Sequence, residues 1–517
     1  MVSIVNKLHI FETCIYNFIF NMPAEKTAII IGAGIGGITT SLYLARKGYK
    51  VTVYEKNTFP GGRCSQLVRD GHRFDLGATI YLMPEVYKKV FESLDIRPED
   101  NFSSTPLPTI YTLFFDDGTR IAFSSDKVKL NTQLEKIEKG SSLKAEKAIT
   151  EGYRNFTLAV DNLLGRNFYN LFQFVTLRNA GLLIKLKTHL RHTNYIKRFF
   201  RNEHLQKAFT FQNIYVGQNP YNAPALFSML AAAELTEGSL FPVGGMFAVT
   251  RQLLSLARDA GVRFVYNEPV IKILTSGKRA EGVVLNNGST VKAGIIVANA
   301  DLPYVYRELL PDKNISKRLD RKTYGCSAIV LHWGLRKQYP QLGHHSVFLS
   351  ASYKENLKKI FRNHSLSDQP SFYVHSPVRS DASAAPEGQD TLSVIIPAGH
   401  MSEKSPSDWN ELKNTARAWV IQRLKQEGMN DIEENIKFEI CHMPPDWLST
   451  FNLTRGATFG LGHNILQMGY FRPHNRHRKY RNLYFAGGST HPGNGIPLVL
   501  LSAKLTSERI FKEQDHE

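Results

Sequence analysis

Four residues in the first part of this 517-residue chain have the types and spacing of a dinucleotide-binding turn. Gly32, Gly34 and Gly37 follow an apolar run, and Glu55 stands twenty-odd residues further on. Such glycines allow a tight turn, a close approach of backbone N–H groups to a pyrophosphate, and close packing of the next helix. A carboxylate at the later position binds ribose hydroxyls. This combination predicts a dinucleotide site rather than a glycine-rich turn of another α/β fold.

A second turn, "PGGR", follows the predicted ribose-binding strand. Gly62 allows another close approach, and the guanidinium of Arg63 can form paired hydrogen bonds with a phosphate or a ring carbonyl. A turn of this composition met by chance is more often solvent-exposed. Its place directly after the strand that ends at Glu55 favours a role at the same site.

The segment "AGGSTHPGNGIP" near the other end of the chain predicts an elbow between a strand and a helix. A helix is expected to begin near Ile496, with Pro497 in its first turn, where a missing N–H group has little consequence. Its free N–H groups and dipole would stabilise negative charge on a bound ring. Gly487, Gly488 and Gly495 would leave space for that ring. The alternative is an ordinary turn before a core helix.

The elements that position these motifs indicate an α/β fold. Thr27 to Ile31, the helical pattern "ITTSLYLARK" and "KVTVYE" predict a βαβ unit, and the region from Val262 to Asp301 predicts a strand meander that returns to a parallel sheet. The simplest arrangement is a Rossmann-like domain interleaved with a mixed α+β domain. The predicted boundaries are 26–95, 241–305 and 465–512 for the first domain, 96–240 and 306–464 for the second, and 1–25 for an N-terminal extension.

The net charge of +18 predicts an anionic partner surface. Basic residues alternate with large apolar ones between Arg166 and Lys207, which is typical of a segment that lies on a membrane. No nucleic-acid module, signal peptide or apolar stretch of about twenty residues is found. A peripheral protein at the cytoplasmic face of a membrane is therefore expected, without nucleic acid as a partner.

No metal site is predicted, because the four cysteines are scattered and no histidines have ligand spacing. The pairs His344 and His345, and His474 and His477, are interpreted as exposed polar residues.

Seven segments together resemble the phytoene desaturases of bacteria and fungi, in the flavin amine oxidase-like superfamily. The resemblance covers roughly residues 26 to 511 and rests on "GAGIGG", "YEKNTFPGGR", "FDLGAT", "LFPVGGM", "VANAD", "FRPHN" and "NLYFAGGSTHPGNGIP". It implies an FAD cofactor, a long apolar polyene substrate such as phytoene, and a possible homo-oligomer on membranes. It also implies that the backbone at Val270 contacts adenine. Asp301 is expected chiefly to cap a helix N-terminus, with closeness to FAD as a secondary role.

The implied reaction inserts double bonds, with a hydride passing to the flavin and a proton leaving the neighbouring carbon. Electrons would then pass to an external acceptor, a quinone or oxygen, since no second glycine motif follows. Asp75, Glu234 and Glu237 are candidate proton acceptors by location only, and none is assigned. Alternatives are a C30 or hydroxycarotenoid desaturase, a carotenoid oxygenase or isomerase, and a non-catalytic prenyl-protein-binding module like the GDP-dissociation inhibitors.

Overall fold

The structure, a computed structural model, describes residues 26–97, 102–310, 312–403, 405 and 408–514. The predicted N-terminal extension lies outside these residues. The strands are β1 Thr27–Ile31, β2 Lys50–Tyr54, β3 Gln66–Arg69, β4 His72–Asp75, β5 Ser104–Pro106, β6 Tyr111–Phe115, β7 Arg120–Phe123, β8 Leu240–Pro242, β9 Arg263–Val265, β10 Val270–Ser276, β11 Arg279–Leu285, β12 Thr290–Lys292, β13 Ile295–Ala298, β14 Ser327–Leu335, β15 His345–Leu349, β16 Phe372–His375, β17 Asp390–Ala398, β18 Ile436–His442 and β19 Leu483–Phe485.

Sixteen α-helices, counted within the described ranges, cover and connect these strands. They are α1 Ile35–Arg46, α2 Pro84–Glu92, α3 Lys127–Ile137, α4 Ser141–Ala159, α5 Leu171–Phe174, α6 Leu177–Lys185, α7 His192–Ile196, α8 Glu203–Ala208, α9 Ser228–Glu237, α10 Phe247–Asp259, α11 Leu302–Tyr304, α12 Lys313–Asp320, α13 Tyr353–Arg362, α14 Trp409–Gln426, α15 Pro444–Phe451 and α16 Ile496–Gln514. Among the described residues, we find no helix with the length and apolar character that a membrane crossing requires.

A five-stranded parallel sheet carries the glycine motifs. Its strand order is β19-β13-β1-β2-β9, and every neighbouring pair is parallel. β1 is an apolar run buried on both faces, as expected of a central parallel strand. The strands come from three separated parts of the chain. Because all of them are parallel, the loops that follow them lie together at the carboxyl ends of the strands. β10, β11 and β12 form the predicted meander as a separate antiparallel sheet.

A seven-stranded mixed sheet forms the second layer of the molecule. Its order is β18-β14-β17-β16-β15-β6-β7, and only β15 and β6 pair in parallel. All nine residues of β14 are buried, because the strand is central and covered on both faces. This sheet is built from residues 111–123 and 327–442, within the two predicted insertions. The domain boundaries themselves stay a prediction.

The first and last helices of the parallel domain pack against each other at the glycine loop. A Cβ atom on Gly36 of α1 would lie 2.9 Å from Cγ1 of Val499 in α16. Ile38 and Leu42 of α1 share one hydrophobic core with Leu500 of α16. Gly36 therefore lets α1 and α16 approach closely, and this contact brings two distant parts of the described chain together.

Three of the four histidines interpreted as exposed are buried, so that interpretation was wrong. His345 is the first residue of β15 and His344 directly precedes it, and His477 packs against Tyr306 and Tyr480. Sequence spacing could not reveal this, because the burial depends on which strands pair.

Candidate active site

Two cavities lie side by side between the sheets. The first, called here the nucleotide cavity, has a volume of about 320 Å³. Its walls contain eleven of the predicted cofactor residues: Gly32, Gly34, Glu55, Gly62, Arg63, Val270, Asp301, Gly487, Gly488, Gly495 and Ile496. Of the two other predicted residues, Pro497 lines the second cavity, and Gly37 lies behind the glycine loop.

The glycine loop is closed by contacts that leave no space for side chains. A Cβ atom on Gly37 would lie 2.2 Å from the carbonyl oxygen of Gly32, so only glycine fits there. The "PGGR" turn packs onto this loop, where the Gly61 N–H donates to the Ala33 carbonyl at 2.8 Å. The two glycine motifs therefore form one continuous backbone surface, as expected for a pyrophosphate site.

Glu55 lies at the end of β2, and its carboxylate faces the same loop. One oxygen accepts from the Ala33 N–H at 2.8 Å and the other from the Asn57 N–H at 2.9 Å. Burial raises the pKa of Glu55, and these two hydrogen bonds oppose the shift. Each oxygen can accept a further hydrogen bond, and Glu55 lines the cavity, which suits acceptance from hydroxyl groups.

Arg63 is a half-buried cation in the wall of the nucleotide cavity. Its Nη1 donates to the Thr458 carbonyl at 2.6 Å, and no carboxylate of the described residues lies within ion-pair distance of it. Burial lowers its pKa, and the charge of Asp301 opposes that shift. A desolvated guanidinium beside a cavity attracts an anionic or carbonyl oxygen ligand.

The C-terminal elbow is held by a fully buried arginine, Arg472, from the segment "FRPHN". Its guanidinium donates to five backbone carbonyls, those of Leu461, Gly462, Gln467, Gly488 and Thr490. The sequence predicted the elbow and the start of α16 at Ile496, but it did not reveal this arginine as their support. The only signal was the position of "FRPHN" within the resemblance.

Asn299 is another residue that sequence reasoning missed. It follows β13, and its Nδ2 lies 3.4 Å from the Gly32 carbonyl. A Cβ atom on Gly34 would lie 2.8 Å from this Nδ2, and a Cβ atom on Gly487 would lie 3.0 Å from Oδ1 of the same side chain. Asn299 thus joins the glycine loop to the C-terminal elbow.

The predicted capping role of Asp301 was wrong. Asp301 does precede α11, but its side chain makes no hydrogen bond to that helix. Oδ1 accepts from the Ser489 hydroxyl at 2.5 Å and Oδ2 from the Thr454 N–H at 3.0 Å. The carboxylate therefore connects the elbow with Thr454, which belongs to the second predicted insertion. Contacts of this kind join distant segments, so the local sequence does not specify them.

The second cavity, called here the apolar cavity, has a volume of about 260 Å³. Part of its wall comes from the segment between Phe211 and Leu230. Its apolar lining includes Ile80, Leu82, Met83, Leu164, Phe211, Ile214, Val216, Leu226, Phe227, Met229, Leu230, Val347, Leu349, Leu357, Ile360, Phe372, Met468 and Leu498. Such a wall suits a hydrocarbon, which offers no heteroatom for a polar contact.

The two cavities share one boundary. Residues that line both are Gly77, Ala78, Tyr215, Ala328, Ile395, Phe459, Asn494, Gly495 and Ile496. Gly495 and Ile496 are at the N-terminus of α16, so the helix dipole points at the place where the cavities meet. A group held there would contact the contents of both cavities.

The three candidate proton acceptors lie outside the lining of both cavities. Asp75 accepts from the Met246 and Phe247 N–H groups at 2.9 and 3.1 Å, which gives it a structural role at the start of α10. Burial raises the pKa of Asp75 to about 6, that of Glu237 to about 7 and that of Glu234 to about 8. The geometry therefore assigns none of them to the reacting atoms.

Comparison with known proteins identifies the class to which this fold and site belong. Residues 35–511 match the family described as flavin containing amine oxidoreductase. Putrescine oxidase bound to putrescine has a similar fold, with a TM-score of 0.63 and 14% identity over 94% of this chain and 99% of that one. The structural similarity agrees with the predicted α/β fold, and the family match agrees with a flavin as cofactor.

Two relatives of known name show which branch of this family the chain belongs to. The zeta-carotene-forming phytoene desaturase of Myxococcus xanthus is 39% identical and covers 94% of each chain. The phytoene desaturase of Phycomyces blakesleeanus is 38% identical over 95% of this chain and 86% of the relative. The chain therefore belongs to the phytoene desaturases of the flavin containing amine oxidoreductase family. The predicted family and the predicted class, a flavin-dependent oxidoreductase, are confirmed.

Proposed function

We propose that this protein is an FAD-dependent carotenoid desaturase that introduces double bonds into phytoene or a related carotenoid precursor. The observation that carries the proposal is the shared boundary of the two cavities at the N-terminus of α16. One cavity has the loop geometry of a dinucleotide site, and the other has an apolar wall suited to a polyene. A redox ring at the boundary would contact the hydrocarbon directly.

The residues of the nucleotide cavity fit FAD. Glu55 would accept from ribose hydroxyls, the glycine loop of Gly32 and Gly34 would hold the pyrophosphate, and the Val270 backbone would contact adenine. Arg63 would bind an anionic or carbonyl oxygen, and the Gly488 backbone lies beside it. Each side chain or glycine already lines the cavity, which supports this assignment.

When bound, the flavin would accept the hydride that leaves the substrate. The chain supplies a dry, fixed environment, because the apolar cavity excludes water and holds the substrate carbons against the boundary. The N-terminus of α16, with Ile496 and Pro497, would stabilise negative charge that develops there. The substrate presents no polar group, so orientation and this electrostatic contribution carry most of the catalytic effect.

We further propose that the protein docks on a membrane through an exposed apolar surface, called here the docking face. It consists of Leu171, Phe172, Val175, Leu177 and Ile184 on and around α5 and α6, with Ile465, Leu466 and Phe471 beside them. Phe172 is 85% exposed and Leu177 is 95% exposed, values that are unusual for residues of this size. Arg178, Lys185 and Arg191 are exposed in the same segment and would attract anionic headgroups.

The docking face lies next to the apolar cavity. Phe174 contacts Phe471 with ring centroids 5.6 Å apart, which joins the two parts of the face. Leu164 and Met468, which line the apolar cavity, flank these parts in sequence and pack in the same core as Phe174. A membrane-dissolved polyene would therefore have a short path into the cavity. A cytoplasmic-face location, a membrane quinone or oxygen as electron acceptor, and a homo-oligomer on the membrane complete the proposal.

Expression in a host that makes phytoene tests the function. Extracted pigments would be separated by chromatography and identified by their absorption spectra. Coloured products of increasing conjugation are expected, and their spectra count the double bonds introduced. Unchanged phytoene from a protein that holds FAD would overturn the phytoene assignment and direct the search to C30, hydroxylated or already coloured carotenoids. A purified protein without flavin would instead favour the prenyl-protein-binding alternative.

A further inference from the structure

Three buried histidines lie together behind the wall of the apolar cavity. His345 and His375 are cross-strand partners in β15 and β16, and His344 stands beside them. One nitrogen from each imidazole lies within 4.8 Å of the other two, and none of the three residues is more than 7% exposed. The function proposed above does not use this cluster. Burial of three imidazoles is costly unless their nitrogens have partners, so the cluster needs an explanation.

The cluster is connected to the apolar cavity by two hydroxyl groups. Thr79 and Tyr373 both line the cavity, and Oγ1 of Thr79 lies 3.0 Å from Oη of Tyr373. The same Oη lies 2.7 Å from Nδ1 of His345. Thr79 follows Ala78 in sequence, and Tyr373 pairs with Ile395 across the sheet. Ala78 and Ile395 line both cavities, so this end of the chain of polar groups is at their boundary.

The other end of the cluster leads toward the surface. Nε2 of His375 lies 3.2 Å from Nε2 of His344, and Nδ1 of His344 lies 2.6 Å from Oγ of Ser380. Ser380 is half-buried. Six side chains therefore form a polar path from the cavity boundary to the outside. The longest gap, between His345 and the other two imidazoles, is short enough for one bridging water molecule.

The environment keeps the imidazoles neutral. Burial lowers the pKa of all three, that of His344 to about 3. A neutral imidazole has one donor and one acceptor nitrogen, which lets it take a proton on one side while it releases one on the other.

The charged and titratable groups facing the path are few. Arg379 and Asp381 face His344, His332 faces His375, and Asp75 faces Tyr373. On the remaining side, the Phe241 ring packs against His344 and His375.

We propose that Thr79, Tyr373, His345, His375, His344 and Ser380 form a relay that carries the proton released by desaturation from the cavity to solvent. This inference depends on the proposed function. Two C–H bonds break in each desaturation: one hydrogen leaves as a hydride to the flavin, the other leaves as a proton, and the remaining electron pair forms the C=C bond. The proton enters at the hydroxyl groups, and an equivalent proton leaves at Ser380, so the relay holds the same number of protons after each turnover and is reset when its hydroxyl groups and imidazoles return to their first tautomers and orientations.

The variant Tyr373→Phe tests the relay, because it keeps the ring in the cavity wall and removes only the hydroxyl. We expect desaturation at least 10-fold slower, in line with the effects of general acid–base groups, with flavin content and KM for phytoene within about twofold of wild type. The solvent deuterium isotope effect on the rate should increase, since proton removal becomes more limiting. A rate and an isotope effect equal to those of wild type would overturn the relay.

The variant His344→Ala supplies a second measurement at the surface end. Added imidazole should restore part of its rate in proportion to concentration, because the small base can replace the missing side chain near Ser380. His442→Ala is the matched control: His442 is a histidine of the same sheet that stacks on Trp447, outside the path. Rescue of the control to the same extent, or no rescue of His344→Ala when that variant folds and holds flavin, would contradict the relay.

Metal analysis of the purified wild-type protein distinguishes the relay from a metal site, since three imidazoles also suit a divalent transition metal. We expect no stoichiometric zinc, copper or nickel. A stoichiometric metal that is lost in His375→Ala would overturn the relay, because the metal would occupy the lone pairs that transfer the proton. Failure of wild type to convert phytoene would count against the proposed function, whereas normal conversion by Tyr373→Phe counts against the relay alone.

Discussion

Two glutamates show how position decides what a carboxylate can do. Glu55 lines a cavity and can accept from a ligand, whereas Glu234 of α9 is buried and lines neither cavity. The same functional group can therefore bind a cofactor at one place and govern pH-dependent stability at the other. Each role leads to a separate experiment.

For Glu55→Gln we expect weaker flavin binding. The amide retains one acceptor oxygen, which can serve either the Ala33 N–H or a ribose hydroxyl but replaces neither charged hydrogen bond fully. Loss of such a bond corresponds to about 1.5–3 kcal/mol, or roughly tenfold to hundredfold in affinity. The dissociation constant for FAD can be measured by titrating flavin-depleted protein with FAD and recording the quenching of fluorescence. Glu281→Gln, an exposed carboxylate on β11, should bind as wild type does, and equal weakening there would contradict the interpretation.

For Glu234→Gln we expect a flatter dependence of stability on pH. Burial raises the pKa of Glu234 from about 4.5 when unfolded to about 8 when folded, and the nearby Tyr111 hydroxyl offsets only part of the shift. The folded state therefore holds a proton that the unfolded state has lost, and stability falls as pH rises between these values, by at most about 1.4 kcal/mol per pH unit. Urea unfolding at pH 5 and pH 7.5 would measure this loss, which the variant should lack. If the free energy of unfolding fell by the same amount between the two pH values in both proteins, this role of Glu234 would be contradicted.

At the scale of elements, the elbow before α16 depends on close contacts made by glycine. A Cβ atom on Gly488 would lie 2.7 Å from Oδ1 of Asn494 and 3.1 Å from Nη2 of Arg63. We expect Gly488→Ala to displace these side chains and to lower FAD affinity at least 10-fold, as measured by flavin content and titration. Gly181→Ala in α6 is the control, because nothing lies within 4 Å of its added Cβ. Full flavin content in Gly488→Ala would show that the elbow tolerates a side chain.

The elements themselves differ in how far the sequence predicts them. β1, the glycine loop and the start of α16 follow from local patterns, because apolar runs, glycine spacing and Pro497 act within a few residues. The contacts of Asn299, Arg472 and the three clustered histidines depend on which distant segments meet. Asp301 illustrates the limit: the sequence predicts its place before a helix, but not that its carboxylate turns away to Ser489 and Thr454.

At the scale of the whole molecule, charge and apolar exposure coincide on the docking face. We expect Phe172→Ser combined with Leu177→Ser to weaken binding to vesicles that contain anionic lipid at least 10-fold, because two large side chains no longer enter the membrane. Co-sedimentation at low and high salt measures this, and wild-type binding should weaken with salt. Val128→Ser, a 76% exposed valine on α3, should bind normally. Unchanged binding of the double variant would place the docking surface elsewhere.

The order of strands in the parallel sheet also bears on how the protein is made. β1, β2, β9 and β13 are complete by residue 298, but β19 begins only at Leu483 and the elbow and α16 follow it. During synthesis the ribosome must therefore release the residues from β19 to α16 before the nucleotide cavity has its last wall. Cofactor capture is then a late event in biogenesis, and a chain shortened before α16 would have the first glycine motif without the surface that closes over the ring.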